Sequence, residues 1–177
     1  MGLGECRFLV VDSNEYMRQI LDAVLRGFGA RTIFKARDGH EALQHLRHAT
    51  FDVMTTDFVL PCIDGVELTR QLRHWEDNPN RYIPVIMVTA YASRPRVELA
   101  RDAGVSEVCC KPVTPRELFR KLVAVTDYSR AFVQSQAFIG PDRRRRQDVA
   151  YAGPERRYDG VTAADHAALE AAADMMG

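Results

Sequence analysis

Short apolar runs alternate with longer amphipathic stretches along most of the chain, from Arg7 to about Val125. The short runs have the length of buried strands, whereas the longer stretches repeat their apolar residues at helical spacing. This alternation predicts an α/β fold with a doubly wound five-stranded parallel sheet, covered by helices on both faces. The predicted strands are 7–11, 32–36, 52–56, 84–88 and 107–110, and the predicted helices are 15–26, 39–47, 66–75, 95–103 and 115–125.

Polar side chains stand where four of the predicted strands end. Asp12 follows the first strand, Asp57 the third, Thr89 the fourth and Lys111 the fifth. Because ligands of an open parallel sheet bind outside the carboxyl ends of its strands, we expect these side chains to meet in one crevice. Two carboxylates, a hydroxyl and an ammonium together make a specific combination.

These residues belong to four segments, FLVVD, TTDFVLPCIDG, VIMVTA and CCKP, which resemble the receiver domain of two-component response regulators, the CheY-like fold. The resemblance extends over about residues 5–125. It implies that Asp57 accepts a phosphoryl group and that Asp12 is a metal-binding acid. It also implies that Thr89 supplies the hydroxyl that follows the phosphoryl group and that Lys111 is its charge partner.

Two positions depart from the family pattern and bear on whether this pocket is a switch. Ser13 stands where the family usually places a second acid that ligates Mg²⁺ directly, and a neutral hydroxyl is a weak ligand for this hard cation. We therefore expect only a weak Mg²⁺ site at Asp12 and Asp57. Val108 stands where the family usually carries a Tyr or Phe that reports phosphorylation. A phosphorylation switch and a receiver fold kept as a docking scaffold both remain open.

The composition changes after residue 125, which divides the chain into a predicted receiver domain, residues 1–125, and an extension, residues 126–177. We interpret residues 126–137 as a polar linker and predict a short Ala-rich terminal helix at 161–176. Between them, one phrase occurs twice, thirteen residues apart: FIGPDRR from Phe138 and YAGPERR from Tyr151. Residues 138–160 have almost no periodic apolar positions, so we expect a flexible, exposed, arginine-rich segment that binds a ligand.

The repeated phrase suits a guanine nucleotide. An arginine fork matches both the O6/N7 edge of guanine and two phosphate oxygens, and arginine and tyrosine side chains stack on bases. A neighbouring carboxylate can orient the fork or accept from guanine N1–H and N2–H. The duplication suggests a ligand with two like halves, or two copies of one ligand. The alternative is a basic tail that contacts any polyanion, although non-specific electrostatics requires neither ordered repeats nor acids.

A receiver followed by such a segment resembles a narrower group, the CheY-like effectors of cyclic di-GMP called Cle proteins. The resemblance implies cyclic di-GMP as the ligand, bound as a dimer, and a receiver that then docks on the flagellar motor switch through about residues 95–125. Arg145 with Asp148, and Arg156 with Asp159, also have the RxxD spacing of inhibitory sites in diguanylate cyclases. The predicted ligand-binding residues are Asp142, Arg143, Arg144, Arg145, Arg146, Asp148, Tyr151, Glu155, Arg156, Arg157 and Asp159.

Composition limits the other classes of function. The formal net charge is +0, so the whole chain has no field that steers it to nucleic acid or membrane, and nucleic acid is disfavoured as a partner. No apolar run has membrane-spanning length and the N-terminus lacks the order of a signal peptide, so we expect a cytoplasmic protein. The resemblance to Cle proteins implies that it is recruited to the flagellated pole or motor. The predicted crevice contains no histidine or cysteine, so we expect no enzyme. The alternatives are a phosphorylation-controlled single-domain response regulator and a nucleic-acid-binding output tail.

Overall fold

The computed structural model of the protein describes residues 3–127, 131–135 and 138–142. Its main sheet contains β1 Arg7–Val11, β2 Thr32–Ala36, β3 Val53–Thr56, β4 Val85–Thr89 and β5 Glu107–Cys110. All neighbours pair in parallel, in the order β2-β1-β3-β4-β5, which confirms the predicted doubly wound sheet. This order places β1 beside β3, so the residues that follow these two strands are neighbours at the carboxyl edge of the sheet.

Five helices connect or follow the strands at nearly the predicted positions: α1 Glu15–Gly27, α2 Gly39–His48, α3 Gly65–His74, α4 Arg94–Asp102 and α5 Pro115–Thr126. Side-chain caps define four of the five starts: the side chains that accept a backbone N–H from the first turn of α1, α2, α3 and α5 are those of Asn14, Asp38, Asp64 and Thr114. A short 3-10 helix, Pro79–Tyr82, which was not predicted, leads into β4. None of the helices that the structure describes is long and apolar enough to cross a membrane.

Alternate residues of β1 face opposite sides of the sheet and divide the core in two. Leu9 and Val11 pack in a cluster with residues of α2, α3 and α4, whereas Phe8 and Val10 pack with residues of α1 and α5. All four side chains are buried. Because both faces of the sheet are covered, its strands are almost continuously apolar, which is why the sequence pattern predicts them well.

Beyond α5 the chain forms an antiparallel hairpin of β6 Phe132–Ser135 and β7 Phe138–Pro141. The predicted polar linker at 126–137 is therefore wrong where the chain forms β6. The predicted exposure of the segment from residue 138 is wrong for β7, since Ile139, Gly140 and Pro141 are buried. Neither FVQS of β6 nor FIGP of β7 has a continuous apolar run or a strict alternation of apolar and polar residues, and a lone two-stranded hairpin needs further packing for stability.

The hairpin packs against the receiver at the amino ends of β4 and β5. The ring of Phe132 lies 5.0 Å from the guanidinium carbon of Arg73 in α3 and meets the ring of Tyr82 edge-on. Gly140 lies against Gly104, in the turn between α4 and β5, so closely that a Cβ on Gly140 would lie 2.7 Å from the Cα of Gly104. Two residues without side chains therefore allow direct backbone contact between hairpin and receiver.

Arg73 is fully buried beneath this hairpin. Its guanidinium donates from Nη1 to the carbonyl of Arg81 at 2.6 Å, and from Nη2 to the carbonyls of Ile83 at 2.9 Å and Gly104 at 3.0 Å. Burial lowers the pKa of Arg73 to about 9. The ring of Phe132 adds a cation–π contact, so the hairpin completes a polar cluster that begins inside the receiver.

Candidate functional site

The residues predicted at the strand ends lie together at the carboxyl edge of the sheet. The N–H of Asp57 donates to the carbonyl of Val11 at 3.0 Å, and the N–H of Lys111 donates to that of Thr89 at 2.8 Å. These bonds continue the pairing of β1 with β3 and of β4 with β5 by one residue. Asp12, which directly follows β1, is brought to the same edge, so the structure places the four predicted side chains around one crevice.

The ammonium of Lys111 joins the two carboxylates. Its Nζ lies 2.7 Å from Oδ2 of Asp12 and 2.6 Å from Oδ2 of Asp57, and the side chain of Lys111 is only 15% exposed. Burial alone would lower the pKa of Lys111, but the hydrogen bonds and charges of Asp12 and Asp57 outweigh burial and raise the pKa. Lys111 is therefore held as a cation that neutralises part of the charge of both acids.

Each carboxylate uses its other oxygen to accept a backbone N–H. Oδ1 of Asp57 accepts from Phe58 at 2.6 Å, and Oδ1 of Asp12 accepts from Asn14 at 2.8 Å. Gly65, at the start of α3, lies directly behind Asp57, and a Cβ there would collide with the carbonyl oxygen of Asp57. Both carboxylates are thus oriented by the backbone, with the remaining oxygen directed at Lys111.

The hydroxyl and the two departures from the family pattern also have defined places. Thr89 is buried at the end of β4, and its Oγ1 accepts the N–H of Tyr91 at 3.1 Å. Val108 of β5 is half-buried against the core cluster on the α2, α3 and α4 side. Ser13 is exposed beside Asp12. The crevice consequently has the predicted acceptor, hydroxyl and ammonium, with a small aliphatic side chain at the position of the switching ring.

The donor set fits Mg²⁺ poorly. Among the residues that the structure describes, no group of three or more His, Cys, Asp or Glu side chains could hold a metal ion. A Mg²⁺ ion would meet two carboxylates that are both bonded to Lys111, together with the neutral hydroxyl of Ser13. The carbonyls of Asp12 and Ser13 accept from Arg18 Nη1 at 2.7 and 3.2 Å, which adds another cation next to the crevice. The weak Mg²⁺ site at Asp12 and Asp57 stays a prediction.

Sequence reasoning missed an arginine at the rim of the crevice. The guanidinium carbon of Arg96 in α4 lies 5.1 Å from the ring centroid of Phe58 and 4.7 Å from that of Tyr91. Phe58 directly follows Asp57, and Tyr91 bonds to Thr89 through its backbone, so Arg96 connects the loops that follow β3 and β4. No pattern along the chain signals this contact, because the rings come from separate loops that only the folded sheet brings together.

The predicted nucleotide-binding segment begins at the hairpin. Asp142 directly follows β7, and its N–H donates to the carbonyl of Ala131 at 2.8 Å. Asp142 is the one predicted ligand-binding residue in the described part of the chain. Outside the described residues lie the predicted terminal helix at 161–176 and the rest of the predicted set, Arg143, Arg144, Arg145, Arg146, Asp148, Tyr151, Glu155, Arg156, Arg157 and Asp159.

The sheet order and the acidic crevice define a CheY-like signalling domain, and comparison with known families gives the same result. The model of the response regulator receiver domain matches residues 8–123. The chain therefore belongs to the response regulator receiver family, as the resemblance of its strand-end segments implied. The match ends before β6, so it includes the crevice and excludes the hairpin.

Individual relatives support this assignment. The chemotaxis protein CheY of Pseudomonas aeruginosa is 36% identical over 116 residues, which are 66% of this chain and 92% of that protein. The chemotaxis protein CheY-3 of Vibrio cholerae is 35% identical over 116 residues, 66% of this chain and 88% of that protein. Both relatives are chemotaxis proteins, and a signalling role for this chain follows from its membership of the receiver family.

Solved structures match over the same part of the chain. The receiver domain of sensor histidine kinase PA1611 from Pseudomonas aeruginosa, with a magnesium ion coordinated in its active site cleft, has a TM-score of 0.60 and 30% identity, covering 67% of this chain and 94% of that one. Chemotaxis protein CheY4 of Vibrio cholerae has a TM-score of 0.63 and 28% identity, covering 68% and 98%. The receiver fold is thus shared, while about a third of this chain lies beyond it.

Proposed function

We propose that this receiver protein is a non-enzymatic signalling effector that binds cyclic di-GMP through its arginine-rich C-terminal segment. Its receiver domain then docks on a protein partner, the flagellar motor switch, and tunes motility. The observation that carries the proposal is the repeated Gly-Pro-acid-Arg-Arg phrase, whose first copy begins in β7. A ligand bound by these arginines would therefore act next to a strand that is packed on the receiver.

The chemistry of the segment matches the two halves of cyclic di-GMP. This messenger contains two guanines and two phosphates, and the two copies of the phrase supply two arginine pairs, with Tyr151 between them. The arginine forks can bind guanine edges and phosphate oxygens, and the acids can accept from the guanine N–H groups. Gathering the segment around the ligand costs conformational entropy, which these charge-assisted hydrogen bonds and the stacking offset.

The composition of the crevice favours an activating signal that enters through another part of the protein. Lys111 already bonds both Asp12 and Asp57, Ser13 offers Mg²⁺ no carboxylate, and the ring that would report phosphorylation is replaced by Val108. A receiver that retains its fold but lacks parts of the phosphorylation switch can still serve as a docking surface. The arginine-rich segment would then provide the signal.

The proposed docking face is formed by α4, β5 and α5. Leu99 of α4 is a large apolar side chain that remains exposed on this face, as expected of a surface that a partner covers. Gly104 lies in the turn between α4 and β5 and is contacted by Gly140 of the hairpin. A shift of the hairpin on ligand binding would reach this face through that contact.

Isothermal titration calorimetry of the full chain with cyclic di-GMP tests the proposal. We expect the wild type to bind, and Arg143→Ala and Arg156→Ala each to weaken binding about tenfold or more, because each removes a charge-assisted contact. Arg37→Ala is the matched control, since the side chain of Arg37 is exposed on the receiver and should not affect the affinity. If both segment variants bind like the wild type, the segment is not the site.

A competition binding experiment distinguishes a site for cyclic di-GMP from a site for nucleic acid. Short RNA and DNA oligomers should displace cyclic di-GMP only at great excess if the segment is a specific nucleotide site. Phosphate contacts weaken steeply as salt rises, whereas stacking largely persists, so specific binding should keep part of its affinity at high salt. Displacement by oligomers at equal concentration would instead favour the nucleic-acid-binding tail.

The crevice itself favours a second candidate, a phosphorylation-controlled response regulator. The side chain of Asp57 lies 2.6 Å from that of Lys111. Asp57 directly follows β3, and β3 pairs with β4, whose last residue is Thr89. Incubation with acetyl phosphate and Mg²⁺, followed by intact-mass measurement, tests this candidate. A phosphoryl adduct that Asp57→Asn abolishes would favour it, and an unchanged mass would support the messenger-driven alternative.

A further inference from the structure

The second and third helices form a groove of about 390 Å³ on the surface of the receiver, the α2–α3 groove. Its lining residues are Leu43 and Arg47 of α2, Gln71 and His74 of α3, and Trp75, which directly follows α3. We propose that this groove is a second docking surface, which binds a partner segment whose apolar side chain is flanked by carboxylates. It contains no residue of α4, β5 or α5, so the inference goes beyond the proposed function and does not depend on it.

Two partly buried apolar side chains form the floor of the α2–α3 groove. Leu43 and Trp75 both pack against the core cluster on the α2, α3 and α4 side, yet each keeps part of its surface in the groove. Leucine and indole surface that lies together in a concave site suits an apolar side chain of a partner, because docking removes apolar area from water. The floor therefore supplies the apolar part of the recognition.

The rim of the groove carries a cation that lacks an acid. The guanidinium carbon of Arg47 lies 5.6 Å from the centroid of the Trp75 ring, and Arg47 forms no ion pair with the residues that the structure describes. Other exposed arginines of the receiver have such partners, since Arg37, Arg70 and Arg94 lie 3.9, 3.8 and 3.0 Å from a glutamate. The charge of Arg47 is therefore available to a carboxylate from another molecule.

His74 adds a second polar group on the opposite helix. Its Nδ1–H donates to the carbonyl of Arg70 at 2.8 Å, which leaves Nε2 for another partner. A carboxylate next to Nε2 would favour the imidazolium, which donates from both ring nitrogens. The described lining residues include no Asp or Glu. The groove thus presents Arg47 on one wall and His74 on the other, which suits an acidic segment and disfavours a basic one.

Two buried asparagines hold the groove in shape. Asn78 and Asn80 donate from Nδ2 to the carbonyl of Leu46 at 3.0 and 2.9 Å, and the N–H of Asn78 donates to the carbonyl of Trp75 at 3.1 Å. These bonds tie the end of α2 to the chain that follows α3. A partner therefore meets a preformed groove, and little affinity is lost to reordering of the receiver.

Trp75 fluorescence tests the inference in the full chain, because the only tryptophan of the chain lies in the groove. The probe is a capped hexapeptide, Glu-Asp-Leu-Leu-Asp-Glu, which has no aromatic residue. We expect a saturable change in emission, with affinity at least about threefold lower for the amide peptide Gln-Asn-Leu-Leu-Asn-Gln and lower still for Lys-Arg-Leu-Leu-Arg-Lys. Equal affinity for the acidic and basic peptides, or no saturable change with the acidic one, would overturn the inference.

A charge-removing variant separates docking from packing. Arg47→Met keeps an unbranched apolar side chain over Trp75 but removes the charge, so the acidic peptide should bind about threefold more weakly or worse while the urea midpoint stays near that of the wild type. Arg37→Met, at an arginine that already faces Glu41, is the matched control and should bind the peptide like the wild type. Unchanged affinity in Arg47→Met would reduce Arg47 to packing and overturn the inference.

The same fluorescence measurement distinguishes a partner from a second copy of the chain. Emission of Trp75 that changes with protein concentration alone, without peptide, would assign the groove to self-association and overturn the inference. Emission that is independent of protein concentration and responds to the acidic peptide would support it. Cyclic di-GMP is left out of these titrations, so their outcome does not bear on the proposed function.

Discussion

The strand ends form two edges of the sheet, the carboxyl edge at the crevice and the amino edge at the hairpin. Each edge buries a cation, and the two cations have different hydrogen-bond partners. At the carboxyl edge, Lys111 bonds the carboxylates of Asp12 and Asp57, all of which belong to the receiver. At the amino edge, Arg73 is more deeply buried, donates to backbone carbonyls and is covered by Phe132 of the hairpin. The carboxyl edge is complete without the extension, whereas the amino edge is completed by it.

This difference indicates where an outside signal can act most directly. Removing the hairpin would expose a buried guanidinium and its bonded carbonyls to water, because the ring that covers them comes from β6. No equivalent dependence exists at the crevice, where both acids have backbone and Lys111 partners. A ligand that binds next to Asp142 would therefore affect the edge that depends on the extension.

Arg73→Ala should have the largest effect on stability. It leaves the carbonyls of Arg81, Ile83 and Gly104 without this donor and removes the cation under Phe132, so we expect a loss of about 3–5 kcal/mol. Urea unfolding of the full chain measures this change. Arg101→Ala, at a half-exposed arginine of α4, is the control and should stay within about 0.5 kcal/mol. Equal effects of the two substitutions would show that the buried hydrogen bonds of Arg73 contribute no more to stability than a surface arginine.

Gly140→Ala should separate the hairpin from the receiver. The new methyl would lie 2.7 Å from the Cα of Gly104 and 2.7 Å from the ring of Phe138, closer than real contacts allow. We expect a destabilisation of about 1–3 kcal/mol and faster proteolysis within the hairpin. Gly27→Ala is the control, since a Cβ at Gly27 meets nothing within 4 Å and should leave both measurements unchanged.

Lys111→Met should lower stability by about 1–2 kcal/mol, because two shielded carboxylates lose a charged donor. The pKa of Lys111 is raised above its ordinary value of 10.5 in the folded protein. The folded state therefore holds this proton more tightly than the unfolded chain, and the stabilisation is complete below pH 10.5 and decreases as the pH rises through the raised pKa.

Urea unfolding of wild type and Lys111→Met across this pH range checks the sign. The difference in unfolding free energy should be constant from neutral pH to pH 10.5 and shrink above it. Lys35→Met, which removes an exposed lysine 3.4 Å from Asp22, is the control and should show no such trend. A difference that grows with rising pH would contradict the assigned pairing.

Ser13→Asp should change folding stability the least of these substitutions, and its effect on Mg²⁺ binding tests the crevice. A third carboxylate beside Asp12 and Asp57 should raise Mg²⁺ affinity about tenfold or more, measured by titration with magnesium chloride. Asn14→Asp adds the same charge one position later and keeps a good cap for α1, so it should change Mg²⁺ affinity less. Equal increases in Mg²⁺ affinity for the two variants would mean that net charge, and not a carboxylate at position 13 in particular, limits Mg²⁺ binding.

The crevice could be predicted from the sequence because its geometry follows from topology. Once the strands are assigned, the parallel order brings the residues that follow β1, β3, β4 and β5 to one edge. No further information was needed to place four side chains in the crevice, those of Asp12, Asp57, Thr89 and Lys111. The bridging position of the Lys111 ammonium and the contact of Arg96 with two loops could not be predicted, because both depend on side-chain conformations in the finished fold.

The contacts at the amino edge could not be predicted from the sequence, for a different reason. Arg73 lies near the end of α3 next to His74, where basic residues usually interact with the helix dipole and water, so its burial has no signal in the sequence. β6 and β7 have four residues each and lack clear alternation, and the Gly140 contact with Gly104 is a long-range one. Tertiary packing, which local patterns do not record, therefore determines this region.

Hydrogen exchange of the full chain, measured with and without cyclic di-GMP, tests most directly whether the signal enters at the amino edge. We predict slower exchange in residues 132–135 and 138–141 and around Tyr82 and Gly104, with unchanged exchange in the loops that carry Asp12 and Asp57. Protection confined to those two loops would contradict this, as would unchanged exchange throughout at a ligand concentration that saturates the protein.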